Sequence, residues 1–263
     1  MDDEVRITWV GHATVLIEHG GYRLVTDPAL TTGLAHLRRR VAVPDVGRVD
    51  AVLVSHVHMD HLHTRSLRAV ATGATFVVPR GAEPLVTPMR PVEINSVLPG
   101  ERVVLRSAPS PVVAIATPAD HSDRRGPHSR IVAMPVGYVV EIGGRRIYFA
   151  GDTDLFDEMP DLGPLDVALI PIWGWGPTLG ERHLDPTSAA RATELLDPAA
   201  VVPIHWGTYS PVRFGLGTPS WLENPIEAFR AELDGRGLTD RLIALRPGGS
   251  TSLVVVPPET SVG

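Results

Sequence analysis

The sequence predicts an α+β domain in which β-sheets pack together under a covering of helices. Three observations carry this reading. Apolar runs of strand length recur along the chain from Ile7 to Val256. Glycine turns at His19-Gly20-Gly21 and Gly143-Gly144 fold some of these runs into hairpins. Helical signals are few and scattered between the strands, which lays helices on sheets instead of bundling them.

Taken in order, Ile7–Val10, Thr14–Glu18 and Tyr22–Thr26 form an antiparallel meander. Residues 29–48 read as a mixed loop, with Leu30, Leu34 and Leu37 set among arginines. The run Ala51–Val54 is a buried strand, and Ser66–Thr72 a short helix. Strands follow at Thr75–Pro79, Arg102–Leu105 and Val112–Ala116. Val136–Ile142 and Arg145–Ala150 pair across Gly143-Gly144, and Val167–Ile172 is a further apolar strand. Asp185 caps a helix running to Leu196, with Pro186 at its first position. After it come a strand at Ala200–Ile204, a helix at Pro225–Leu233, and strands at Ile243–Leu245 and Ser252–Val256. No repeat, low-complexity segment or linker interrupts the chain, so residues 1–263 are expected to form a single domain.

Composition narrows the class. Without cysteine there is no disulfide framework and no thiolate metal site, so any metal rests on His, Asp and Glu. The formal charge, 24 − 30 = −6, is a poor footprint for a nucleic-acid binder. The start Met1-Asp2-Asp3-Glu4 is no signal peptide, and no apolar run reaches transmembrane length. A cytoplasmic location without stable membrane association is expected, and oligomeric state leaves no trace in the sequence.

The densest chemistry lies in Ser55-His56-Val57-His58-Met59-Asp60-His61, directly after the buried run at 51–54. Imidazole and carboxylate are ligands for zinc and related divalent metals. His56 and His58, two apart, share a side in extended backbone, while Asp60 and His61 can aim at a second position. More such residues stand where other strands end: His121 after 112–116, Gly151-Asp152-Thr153 after 146–150, and His205 after 200–204. Strand-end loops at one edge of a sheet scaffold are where sites form. Glycines beside Asp152 and after His205 let backbone approach such a crowded place.

In order and spacing, His56-x-His58-x-Asp60-His61, His121, Gly151-Asp152-Thr153 and His205 resemble the metallo-β-lactamase superfamily. The resemblance implies a four-layer αββα sandwich with two metals at one edge. It gives His56, His58 and His121 to the first, Asp60, His61 and His205 to the second, and Asp152 to both as a bridge. Trp9-Val10-Gly11-His12-Ala13-Thr14 and Leu24-Val25-Thr26-Asp27-Pro28 look like the branch holding N-acylphosphatidylethanolamine phospholipase D and the ascorbate-6-phosphate lactonases. So do Ile204–Thr208 and His183–Pro186. The implied activity is hydrolysis of an ester, phosphodiester or lactone by a metal-bound hydroxide, since two dications bring the pKa of water towards about 7. Two dications, Asp60, Asp152 and one hydroxide leave roughly +1, which favours a small anionic substrate. Zinc is the expected metal, with Mn2+ and Fe2+ compatible with the same ligands.

Asp60, beside its ligand role, and His183 are the candidate catalytic residues, His183 as proton donor or substrate contact. His12 is placed either at the site edge or in a structural hydrogen bond, and Asp27 reads as a structural residue beside the site. Trp173, Trp175 and Trp206 are candidates for pocket lining. His19, His36, His63 and His128 read as ordinary histidines. Leu30–Arg40 is expected to shape access, its leucines meeting an apolar group and Arg38, Arg39 and Arg40 an anion, with a solvated arginine face as the alternative.

Three alternatives compete. Diiron redox members of the fold generally carry Glu at the place of His58 and a fused flavin domain, both missing here. A nucleic-acid-processing hydrolase conflicts with the negative charge. A non-catalytic metal-binding protein conflicts with the complete ligand set.

Overall fold

The computed structural model describes residues 4–43, 45–126, 128–212 and 220–254. Met1, Asp2 and Asp3, and the last two residues of the expected strand at 252–256, lie outside them.

One sheet has seven strands: β1 (Glu4–Gly11), β2 (Thr14–His19), β3 (Tyr22–Thr26), β6 (Ala51–Leu53), β7 (Thr75–Pro79), β8 (Glu93–Val97) and β16 (Ser250–Val254). Their order is β16-β1-β2-β3-β6-β7-β8. A second holds β9 (Arg102–Arg106), β10 (Val112–Pro118), β11 (Val136–Ile142), β12 (Arg145–Phe149), β13 (Val167–Pro171) and β14 (Ala200–Ile204), ordered β14-β13-β12-β11-β10-β9. The helices are α1 (Thr64–Val70), α2 (Glu83–Val86), α3 (Pro186–Leu196), α4 (Ser220–Glu223) and α5 (Pro225–Asp234).

Strand periodicity builds the layers. In β1 and β2, Val5, Ile7, Val15 and Ile17 point into the core shared with the second sheet, whereas Leu16 points to the opposite face. That outer face also carries Val25, Val52 and Phe76, covered by Leu67 and Val70 of α1 and Val86 of α2. On the other side Ala189, Ala190 and Leu196 of α3 and Phe229 and Leu233 of α5 cover the second sheet. The result is the expected αββα sandwich. Tyr138 crosses its middle, fully buried, and donates its hydroxyl to Val54 O at 2.8 Å. Asp185 caps α3 as expected, accepting from Ser188 N while the Ser188 hydroxyl returns to the Asp185 backbone.

Strand direction decides where function can sit. β3, β6 and β7 are mutually parallel, and so are β12, β13 and β14. Since β10 is antiparallel to β11, and β11 to β12, β10 runs the same way as β12. The loops after β3 and β6 therefore open on one edge of the first sheet. Those after β10, β12, β13 and β14 open on one edge of the second.

Two expectations change. Residues 29–48 are not all loop: β4 (Gly33–Leu34) and β5 (Leu37–Arg39) form a hairpin that pairs with β15 (Tyr209–Pro211) in a third, small sheet. Strands of two and three residues are too short to show an alternating pattern. Ile243–Leu245 is no strand. Leu242 makes an isolated bridge to Val201, Ile243 N donates to Val201 O, and Pro247-Gly248 then turns the chain away. Among the described residues no helix is long and apolar enough to cross a membrane.

Candidate metal centre

All seven expected ligands meet at this edge. The loop after β6 supplies His56, His58, Asp60 and His61, and the ends of β10, β12 and β14 supply His121, Asp152 and His205. Gly151 permits the approach: its φ is +63°, and a Cβ there would stand 2.5 Å from Ser55 Cβ. Gly207, with φ +65° and no close neighbour, meets a conformational need alone.

The nitrogens form two sets. His56 Nε2 lies 3.0 Å from His58 Nδ1, which lies 3.1 Å from His121 Nε2. His61 Nε2 lies 3.1 Å from His205 Nε2, and Asp60 and His12 complete that group. Asp152 stands between the sets. Its Oδ2 is 3.1 Å from His61 Nε2, its Oδ1 3.2 Å from His205 Nε2, and it also groups with His121 and His183. Tetrahedral zinc with bonds of about 2.05 Å holds its ligands about 3.3 Å apart. The spacings here are close to that.

The outward nitrogens fix which atoms face inward. His121 Nδ1 donates to Arg182 O at 2.8 Å, His205 Nδ1 to Trp173 O at 2.7 Å, and His61 Nδ1 to Asp27 Oδ2 at 2.7 Å. The Ser55 hydroxyl gives its proton to Asp27 Oδ2 at 2.5 Å and so accepts from His56 Nδ1 at 2.9 Å. Each of these four rings commits its Nδ1 proton outward, which leaves Nε2 as a bare lone pair in the neutral rings of His56, His121 and His205 and as the nitrogen facing Asp152 in His61. Lone pairs set about 3 Å apart repel unless a cation lies between them, so the donor set fits divalent metal ions.

Charge agrees. Burial holds His56 and His58 below the usual histidine value and pushes His121 down to about 4 and His205 to about 3. All four rings are neutral, as ligation requires. Burial opposes ionisation of Asp60 and Asp152. His61, with His12 for Asp60 and His205 for Asp152, outweighs it and keeps both carboxyls well below the usual range. Burial also lowers His61, but Asp152, Asp60 and Asp27 overcome this and raise it well above the usual value. The carboxylates thus demand positive charge, and a metal ion competes with that proton for Nε2.

Asp27, fully buried with φ +32°, sits beneath the site and accepts from Ser55 N at 2.7 Å as well as from Ser55 Oγ and His61. This is the structural role the sequence indicates. His12 is drawn into the site. Its Nε2 lies 3.1 Å from Asp60 Oδ2, and its ring lies 3.9 Å from that of His205. His12 and His205 both adopt left-handed backbone, φ 55° and 64°, which costs of order 1–3 kcal/mol each. Hydrogen bonds lock them together: His205 N to His12 O at 3.0 Å, and His12 N to Thr208 Oγ1 at 2.7 Å.

His183 Nε2 is 3.5 Å from Asp152 Oδ2, and its Nδ1 donates to Glu181 O. Burial lowers its pKa, but the bond to Asp152 prevails and raises it. Beside it opens a cavity of about 690 Å³ lined by Leu155, Trp173, Leu179, His183, Arg191 and Arg236. Trp175 Nε1 lies 3.2 Å from Asp60 Oδ2. Trp206 does not line this space: it packs tilted against Trp9 in the core and donates to Pro203 O. His63 bonds Ser66 Oγ, away from the centre.

The arginines of 38–40 do not form a common anion contact. Arg39 is buried and donates to Val10 O, Ala29 O and Ala42 O, while Arg40 Nε donates to Ser210 Oγ. Arg38 remains exposed. A guanidinium one sequence pattern would leave in solvent is Arg125. It is half-buried and donates to Val57 O and Leu62 O, pinning the loop that carries four of the seven candidates.

Such a double-sheet sandwich, with seven His and Asp donors converging at one edge, defines the metallo-β-lactamase class of metallohydrolase. Residues 22–206 match the Beta-lactamase superfamily domain. Within it, the chain belongs to the UPF0173 metal-dependent hydrolase family. It is 37% identical over 216 residues to a member from Thermus thermophilus, covering 80% of this chain and 87% of that one. A member from Methanopyrus kandleri is 33% identical over 252 residues, covering 94% and 99%. Igni18, a metallo hydrolase from Ignicoccus hospitalis, superposes with a TM-score of 0.70 at 25% identity, covering 95% and 98%.

Proposed function

We propose that this hydrolase is binuclear and cleaves an ester, phosphodiester or lactone bond in a small anionic molecule. The observation carrying this is the set of imidazoles whose outward nitrogens are held by fixed partners and whose inward nitrogens converge in two groups about Asp152. His56, His58 and His121 hold one ion; Asp60, His61 and His205 hold the other; Asp152 serves both. Zinc suits these ligands, and Mn2+ or Fe2+ remain chemically compatible. Bound there, two divalent ions supply Lewis acidity and a water ionised at neutral pH.

The residues of the chain supply the rest. Asp27 and Ser55 keep His61 and His56 in the ligating tautomer. Asp60 acts in catalysis by orienting the attacking water as well as by ligation. His183, with Nδ1 fixed on Glu181 O, keeps Nε2 facing Asp152 and the cavity, where it delivers a proton to the leaving oxygen. The cavity is of small-molecule size. Its walls combine Trp173 and Leu179 with Asp154, Asp185, Arg191 and Arg236, and the arginines are paired to Glu194 and Glu232. The anionic preference therefore rests on the charge of two bound dications, and the apolar portion on Trp173 and Leu179. The segments behind the likeness to the phospholipase D and lactonase branch supply His12 and Asp27, so they support a shared site architecture more than a shared substrate.

The test is a substrate-class screen on protein of known metal content, using bis-(p-nitrophenyl) phosphate, a neutral and a carboxylated p-nitrophenyl ester, and a lactone. The expected result is two metal equivalents, chelator-sensitive turnover, and a lower KM for the anionic member of the ester pair. Uptake of one equivalent under metal excess overturns the binuclear assignment, and chelator-resistant turnover overturns the metal chemistry.

A further inference from the structure

Asp60 is the most exposed of the seven candidates' two carboxylates, with its side chain 17% accessible against 3% for Asp152. It sits on a short loop where its orientation is not set by a strand. Two donors from distant parts of the chain nevertheless reach the same oxygen, Oδ2: His12 Nε2 at 3.1 Å and Trp175 Nε1 at 3.2 Å. Both donors rest on the small third sheet. Trp175 packs against the apolar cluster of Ala29, Leu34, Leu37 and Tyr209, and the His36 ring meets the indole edge-on at 5.2 Å. The His12 ring meets Tyr209 edge-on at 5.5 Å.

We infer that His12 and Trp175 are positioning residues for Asp60, and that the β4–β5–β15 sheet is the platform holding them in place. The inference rests on the binuclear reading above. An indole nitrogen can only donate, so Trp175 cannot be a ligand; its place on Oδ2 is that of an orienting group. His12 donating to the same oxygen fixes the carboxylate about its remaining torsion. Outer partners of this kind commonly change metal affinity 10–100-fold. The effect belongs to the second ion, because the oxygen both donors reach is that of Asp60, which groups with His61 and His205 and not with His56, His58 and His121.

Co2+ titration of the metal-free protein, followed by its visible absorption bands and by chelator competition, reads the two affinities separately. Trp175→Phe and His12→Ala are each expected to raise the second dissociation constant 10–100-fold and leave the first unchanged. His12→Gln places an amide N–H at comparable reach and is expected to restore most of the affinity lost in His12→Ala. If wild-type protein takes two equivalents and neither Trp175→Phe nor His12→Ala moves the ratio of the constants, the positioning role is overturned. If His12→Gln binds as poorly as His12→Ala while Trp175→Phe is unaffected, His12 is itself a ligand and the inference is equally overturned. A wild-type chain limited to one equivalent overturns the binuclear reading and this inference with it.

Discussion

Asp27→Asn changes one atom in a fully buried residue and tests how the site is held. Asp27 Oδ1 accepts from Ser55 N at 2.7 Å; Oδ2 accepts from Ser55 Oγ at 2.5 Å and from His61 Nδ1 at 2.7 Å. Asparagine has one acceptor oxygen and one donor nitrogen, and it tolerates the φ of +32° at this position. If the nitrogen takes the Oδ1 place, it faces the Ser55 N–H and a buried donor is left unpaired. If it takes the Oδ2 place, Ser55 can turn to accept, but His61 must then present a bare Nδ1. Its proton moves to Nε2 and points into the metal centre. Either arrangement costs about 1–3 kcal/mol of folding stability through an unmade buried hydrogen bond. The second also blocks a ligand, for which a 10–100-fold loss of metal affinity, about 1.4–2.8 kcal/mol, is expected. Denaturant unfolding of the metal-free protein and competitive metal titration measure the two quantities. An Asp27→Asn protein with wild-type metal affinities and wild-type stability would refute the claim that Asp27 sets the His61 tautomer.

Further outcomes follow from the same geometry. Asp152→Ala should abolish hydrolysis and loosen both metals, whereas the exposed His128→Ala should do neither; equal effects on activity would remove Asp152 from its bridging place. Arg39→Gln should cost roughly 2–5 kcal/mol in stability by stranding buried carbonyls, while Arg38→Gln should leave unfolding midpoints unchanged. The metal-free protein should lose stability on acidification. His121 and His205 sit at about 4 and 3 when folded against an ordinary 6.5, so below pH 6.5 the unfolded chain takes up protons that the folded chain refuses. Their contribution is complete above 6.5 and falls by about 1.4 kcal/mol per pH unit for each ring down to about pH 4. His61 and His183, raised when folded, contribute in the opposite sense, with stability that is present below 6.5 and lost as pH rises through their folded values. The lowered rings of His56 and His58 side with His121 and His205, so unfolding at pH 5 should require less denaturant than at pH 7, while the lowered carboxyls of Asp60 and Asp152 add to the loss only below about pH 4. A flat profile would contradict the burial of neutral imidazoles.

The strands that build the two large sheets were legible because each is a buried apolar run bounded by turn residues, as at Val136–Ile142 and Val167–Pro171. β8 was not, since Glu93-Ile94-Asn95-Ser96-Val97 lies at a sheet edge and mixes polar residues into the run. Neither was the β4–β5 hairpin. Its stability comes from pairing with β15, some 170 residues away, and from Arg39 reaching inward, and local pattern reports neither. The same inward turn removed the expected anion contact. A triple arginine run reads as solvated until a fold supplies main-chain carbonyls to receive it.

For the site, the division between legible and illegible follows the kind of atom that orients each ring. His61 and His56 lean on the side chains of Asp27 and Ser55, which only particular residue types can provide. These stand in the sequence, Asp27 within Leu24-Val25-Thr26-Asp27-Pro28 and Ser55 directly before the metal loop. His121 and His205 lean on the carbonyls of Arg182 and Trp173, which any residue at those positions would offer. No sequence signal marks them. Half of the tautomer control is therefore written in side chains and half in the path of the chain after β13. It follows that exchanging the side chain of Arg182 should leave His121 correctly protonated, while removing the Asp27 carboxylate, as in Asp27→Ala, takes away the acceptor that holds the His61 proton outward. Trp173 is a different case, because its indole also walls the cavity. A change there would alter what the site admits without altering which nitrogen of His205 faces it.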